Sequence, residues 1–94
     1  MPYHRIENVL RGRARELISA GHLPCGPPMH AWGGYGSDLA CSVCEEPIPR
    51  QEVEYELEFR EADGARIYRF HFLCHTAWAI ECARAESARQ TSEQ

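Results

Sequence analysis

The 94-residue sequence predicts a small α+β domain. Three observations carry that prediction: an apolar stripe at helical spacing near the N-terminus, a strictly alternating segment around residue 55, and a second helical pattern towards the C-terminus. Two pairs of metal-ligating residues lie between and beside these elements, and they constrain how the elements come together.

The first helix is expected from about Tyr3 to Ala20. Ile6, Val9, Leu10, Ala14, Leu17 and Ile18 recur at three- and four-residue spacing, which draws one apolar stripe along a helix. Glu7 and Arg11 form a favourable i, i+4 pair, and Gly21 and Pro24 supply stop signals. Gly12 weakens the interior. The stripe is expected to pack on the rest of the domain with the arginines facing water. Arg11, Arg13 and Arg15 are also the residues that would touch a partner or a phosphate.

Residues from about His22 to Leu39 read as a loop, because Gly26, Pro27, Pro28, Gly33, Gly34 and Gly36 punctuate it too densely for a regular element. Long loops in small domains are often functional, and a flexible linker has no need of large aromatics. Trp32 and Tyr35 are therefore candidates for a partner-binding surface or, preferably, for a lid over the small core.

From Glu52 to Phe59 the chain alternates: Val53, Tyr55, Leu57 and Phe59 on one face, Glu52, Glu54, Glu56 and Glu58 on the other. Period two predicts a strand with one buried face and one face in water. Ala62, Asp63 and Gly64 supply a turn, and Ile67 to Phe72 reads as the returning strand of a hairpin. Arg66 or Arg69 would pair with the glutamates. A final helix is expected from about Leu73 to Arg89, with Leu73, Ala77 and Ile80 in one row and Cys74, Trp78, Cys82 and Ala85 in the next. Cys82 points along the helix away from Cys74 and reads as a core thiol. Gln90 to Gln94 is polar and expected to fray.

The most specific feature is Cys41 and Cys44, followed after 26 intervening residues by His71 and Cys74. Three thiolates and one imidazole are a standard set for a structural zinc ion held tetrahedrally. The x2 spacing in each pair lets both members reach one ion. Around Cys41 it suits a tight knuckle opening a hairpin; His71 and Cys74, at i and i+3, would share one helical face. A helix N-terminus there favours thiolate. Four protein ligands leave no open position for water, so the expected role of the ion is to hold the fold. A redox dithiol at Cys41 and Cys44, or unliganded core thiols, would leave His71 at its matching distance unexplained. Iron is a less expected occupant than zinc. His22, Cys25 and His30 make a looser cluster to which His75 or Cys82 could add, but no paired spacing supports a second site.

Cys41, Ser42, Val43, Cys44, Glu45, Glu46, Pro47, Ile48 and the later Phe70, His71, Phe72, Leu73, Cys74 together resemble a treble-clef zinc finger, similar to the first finger of LIM-type domains. The resemblance covers about residues 40–90 and implies a knuckle, a hairpin and a helix around one zinc ion. A LIM domain continues into a second C-x2-C finger, which this sequence lacks, and the hairpin is longer than usual. A single treble-clef-like module is therefore the expected form.

Length sets one domain, 1–94. It divides into an N-terminal helix (1–24), a Gly/Pro/aromatic loop (25–40), a zinc-binding module (41–90) and a frayed tail (91–94). Chains of this size often need a metal or disulfide staple. No run is long enough for a transmembrane helix, and the N-terminus lacks the apolar run of a secretory signal. Five cysteines cannot all pair within one chain, so a reducing cytoplasmic location with metal-bound thiolates is expected. The net charge is −4 and all ten basic residues are arginine. Residues 1–24 carry four arginines against two glutamates, a balance of +2, while residues 45–63 carry eight acids against two arginines, a balance of −6. That acidity argues against duplex nucleic acid as the partner.

No catalytic triad, phosphate loop, HExxH or deaminase motif is present. The expected function is a non-enzymatic zinc-binding module that contacts another protein, with Trp32, Tyr35, Arg11 and Arg15 as candidate contact residues. A nucleic-acid regulator using the arginine-bearing helix is the first alternative and a thiol redox protein the second. A free strand edge would also suit a homodimer.

Overall fold

A computed structural model describes the backbone of residues 3–92 and the side chains of residues 7–89. Two helices and a three-stranded antiparallel sheet follow in the order α1 (Tyr3–Ser19), β1 (His30–Tyr35), β2 (Val53–Glu61), β3 (Gly64–His71) and α2 (Phe72–Ser92). The helices and the β2–β3 hairpin fall where periodicity places them. Of the expected frayed tail, Thr91 and Ser92 belong to α2, and residues 93–94 lie outside the described residues.

α1 is held by a narrower stripe than expected. Ala14 is fully buried and Leu10, Leu17 and Ile18 pack against the core, but Val9 is 66% exposed. The side chain of Ile6 lies outside the described residues. The helix ends in a left-handed glycine: Gly21 has φ of 80°, and His22 N–H donates to Leu17 O at 2.8 Å. Glycine takes that conformation without steric penalty. The reversal sends Leu23 back into the core.

The glycine-rich segment departs from expectation, because its middle is a strand. β1 pairs antiparallel with β2 from His30 opposite Glu58 to Tyr35 opposite Val53. Ala31, Gly33 and Gly34 disfavour a strand, so the pairing is imposed by the open backbone edge of β2, an effect no local pattern reports. Trp32 is 48% and Tyr35 84% exposed, so neither forms a lid.

β2 and β3 pair in register from Glu54 opposite His71 to Glu61 opposite Gly64, around the two-residue turn Ala62–Asp63, and Gly64, which opens β3, has φ of 124°. Leu57, Phe59, Tyr68 and Phe70 fill one face. Val53, expected with them, is exposed at the sheet end. The opposite face is not uniformly wet. Glu54 is buried, and its Oε1 accepts bonds from Ser37 N–H at 3.1 Å and Ser37 O–H at 2.7 Å. Arg69 lies on that face, 3.8 Å from Glu54 Oε2; Arg66 lies on the other, with its guanidinium 5.2 Å from the Tyr68 ring.

α2 covers the apolar face. Trp78 meets Phe70 at 5.5 Å and Phe59 at 6.2 Å between ring centroids, while its Nε1–H donates to Pro24 O at 2.8 Å. Burying the indole with its one polar group satisfied makes it the centre of the core. α1 packs alongside α2, where Glu81, only 3% exposed, faces the arginines of α1. Cys25 and Cys82, expected as unlinked thiols, form a disulfide that ties the segment after α1 to the middle of α2. The two residues are 57 apart in sequence, and the packing of that segment against α2, where Trp78 Nε1–H also reaches Pro24 O, brings them together.

Candidate metal centre

The knuckle is built by backbone bonds before any metal is considered. An isolated bridge joins Ala40 to Pro47, Cys41 N–H donates to Glu46 O at 2.9 Å, and Glu45 N–H donates to Cys41 O at 3.0 Å. Closing so tight a turn puts Glu45 in the left-handed region, with φ of 68°. Val43 and Ile48, both fully buried, anchor the knuckle in the core.

Two bonds then tie the knuckle to β3. Ser42 N–H donates to Arg69 O at 2.7 Å, and Arg69 N–H donates to Ser42 Oγ at 3.1 Å. This brings Cys41 and Cys44 up to the junction where β3 ends at His71 and α2 begins at Phe72. His71 is thus the last residue of β3, within the strand expected over Ile67 to Phe72, and it shares a corner with Cys74 rather than one helical face. Cys74 sits in the first turn of α2. The i, i+3 separation still works, because the strand-to-helix corner aims both side chains at the knuckle.

At that corner the sulfurs of Cys41, Cys44 and Cys74 and a ring nitrogen of His71 all lie within 4.8 Å of one another. A tetrahedral zinc site with Zn–S bonds of about 2.3 Å has ligand separations of about 3.8 Å, so a small contraction closes the set. His71 Nδ1 is 3.4 Å from Cys44 Sγ and 3.9 Å from Cys74 Sγ. Its other nitrogen, Nε2, lies 3.2 Å from Pro47 O. A carbonyl can only accept, so this contact calls for an Nε2–H, and in a neutral imidazole that tautomer leaves the Nδ1 lone pair for the side of the sulfurs. Metal-ligating histidines are oriented by this kind of bond. Among the described residues this is the one cluster of cysteine, histidine or carboxylate groups arranged to hold a metal.

Electrostatics support a cation. The Cys41 thiol is held well below its ordinary pKa by a hydrogen bond from Cys74 and by backbone N–H groups, among them Val43 N–H at 3.4 Å. Cys74 is pushed up, first by its bond to the Cys41 thiolate and then by burial; Cys44 is raised chiefly by burial. The pocket therefore favours one negative charge and resists the second and third. A dication removes that resistance, since thiolate is the form that binds metal.

The remaining candidate ligands are elsewhere. Cys25 is in the disulfide with Cys82, and His30 Nδ1 is 2.7 Å from Glu58 Oε1. His22 is exposed. His75 stacks on Tyr55 at 4.8 Å, and burial lowers its pKa. The four candidate contact residues are also outside the centre. Trp32 and Tyr35 are on β1. Arg11 Nε and Arg15 Nε each lie 2.9 Å from a different oxygen of Glu81, so both are joined to α2 rather than turned wholly to water.

Three contributors to the architecture escaped the sequence reading: Glu81, the Ser37–Glu54 bond and Gly36. Glu81 had a signal, as the single acid inside the apolar row of Cys74, Ala77, Trp78 and Cys82. Gly36 is buried where a Cβ would overlap the carbonyl groups of Ile48 and Pro49, which lets the chain after β1 lie against the arm of the knuckle. No family model, curated protein or solved structure matches this chain.

Proposed function

We propose that the chain is a small zinc-binding protein in which one structural ion joins the knuckle to the β3–α2 corner in a treble-clef-like arrangement, and that it works by contacting another protein. The order knuckle, hairpin, helix supports the treble-clef reading. The observation that carries the zinc assignment is the orientation of His71, whose Nε2–H is engaged by Pro47 O while Nδ1 faces the three sulfurs. Cysteine sulfur and imidazole nitrogen in a four-donor set suit zinc, and a full tetrahedron offers no position for substrate or activated water. The interaction role is favoured over nucleic acid by the net charge of −4 and by the engagement of Arg11 and Arg15 with Glu81.

Elemental analysis and native mass spectrometry of the purified chain test the assignment. One zinc per chain, lost on replacing Cys44 with serine, is the expected result. A chain that folds fully and takes up no stoichiometric zinc overturns it.

A further inference from the structure

β1 has the properties of a strand made to receive another. It is one of the two edge strands of the sheet, the other, β3, being met on its outer side by Ser42 at Arg69, and all six residues of β1 are exposed. Gly36 N–H donates to Glu52 O at 2.9 Å, which sets the alternation of the ladder. The even-numbered residues Trp32 and Gly34 bond towards β2, and the N–H and C=O groups of Ala31, Gly33 and Tyr35 point to the open edge. Natural edges are usually blunted by charge, proline or a bulge. This one, His-Ala-Trp-Gly-Gly-Tyr, has no proline and no formally charged residue other than His30 when protonated, and His30 is paired with Glu58.

We infer that β1 pairs antiparallel with β1 of a second copy of this chain, with Gly33 on the two-fold axis. The order of side-chain sizes argues for a second copy. In the register centred on Gly33, Ala31 faces Tyr35, Trp32 faces Gly34, and Gly33 faces Gly33. Every large ring meets a small residue, and each pair is formed twice, as a two-fold interface requires. A shift of two residues either way puts Trp32 against Trp32 or Gly34 against Gly34 and forfeits that fit. The outward groups of Ala31, Gly33 and Tyr35 become the hydrogen-bonded pairs of this register, and two three-stranded sheets join as one of six strands.

Charge permits the same pairing. The glutamates of β2 would be separated from those of the second copy by three strand spacings, about 14 Å. That exceeds the screening length of about 8 Å at physiological salt. Trp32 and Tyr35, the aromatic residues singled out in the sequence, become the side chains that cover the seam, one on each face. This inference is independent of the metal assignment.

Two substitutions at one residue test it with the intact 94-residue chain, purified without chelator. A Cβ at Gly33 would meet only the Tyr55 ring edge, at 3.9 Å, so both are compatible with the fold. Sedimentation or light scattering of the unmodified chain should give twice the 10.7 kDa chain mass, with a concentration dependence. Gly33→Lys sets like charges directly opposite each other and should give a monomer with an unchanged circular dichroism spectrum. Opposed residues in a hydrogen-bonded antiparallel pair have Cα atoms about 5.5 Å apart, within disulfide reach. Gly33→Cys should therefore cross-link to its own copy under mild oxidation, while Tyr35→Cys, displaced from the axis, should not. A monomer at millimolar concentration overturns the pairing, as does a dimer that Gly33→Lys leaves intact. A dimer in which Tyr35→Cys cross-links as readily as Gly33→Cys overturns the register.

Discussion

The chain closes itself twice, and the two closures differ in kind. At one end, Cys41, Cys44, His71 and Cys74 converge within 4.8 Å with all three thiols unlinked, and the gap between them suits a cation. At the other, α1 and the segment after it are held to α2 by the Cys25–Cys82 disulfide and by the contacts of Arg11 and Arg15 with Glu81. The first closure joins the two halves of the sheet module itself. The second adds an outer helix to a module that already has its core of Phe70, Trp78 and Phe59. Loss of the first should remove the fold, and loss of the second should loosen it.

Metal removal is the largest test. Cys74→Ser, or a strong chelator, should abolish the cooperative thermal transition seen by circular dichroism. In small modules the metal-binding free energy is folding free energy, and it exceeds the stability of about 5–10 kcal/mol expected of a domain this size. Cys82→Ser should instead leave a cooperative transition at lower temperature with zinc still bound. The disulfide spans 57 residues, and a cross-link over such a loop stabilises by about 2–4 kcal/mol. Equal loss of structure in both variants would break the distinction between the closures.

The difference also decides what could be read in advance. The convergence of Cys41, Cys44, His71 and Cys74 was legible because its geometry is local: an x2 spacing encodes a turn, and two such turns carry matching donors. The hairpin and both helices were legible for the same reason, since period two and period three-to-four are written within each element. Cys25–Cys82, Glu54 with Ser37, and the strand β1 were not, because each depends on a partner distant in sequence. Ser37 and Glu54 are 17 residues apart, and Arg11 and Glu81 are 70 apart. Trp32 was placed over the core from its size alone, although its position on the outer strand leaves it half exposed. His71 shows the intermediate case: it ends the strand expected over Ile67 to Phe72, but the helical face it was expected to share with Cys74 is a strand-to-helix corner, which satisfies the same i, i+3 spacing.

Within the second closure, Glu81→Gln should cost less than the disulfide, about 1–3 kcal/mol, because a buried charged acceptor loses its strongest hydrogen bonds. The effect should depend on pH. The bond from Arg15, assisted by Arg11, holds the Glu81 carboxyl below its ordinary pKa despite burial. A depressed carboxylate pKa contributes stability that is complete above the unfolded-state value, about 4.3, and is lost as pH falls through the lower folded-state value. Urea denaturation of the two proteins should therefore differ at pH 7 and converge in acid. Because acid acts on the metal centre equally in both, the difference between them isolates Glu81. A gap that stays constant down to pH 3 would assign the loss to packing.

The smallest effect is expected farthest from both closures. Trp32→Ala removes a half-exposed ring whose described aromatic neighbour is His30, at 5.5 Å between centroids. In dilute solution, where copies of the chain are apart, it should shift stability by no more than about 0.5 kcal/mol, the usual range for surface positions. At high concentration the same substitution should lower the melting temperature further, because a ring that covers a seam between copies stabilises only the associated state, and association is linked to concentration by mass action. Thermal melts across a concentration series would separate the two contributions. A large loss that does not vary with concentration would show that Trp32, and β1 with it, belongs to the fold of the single chain.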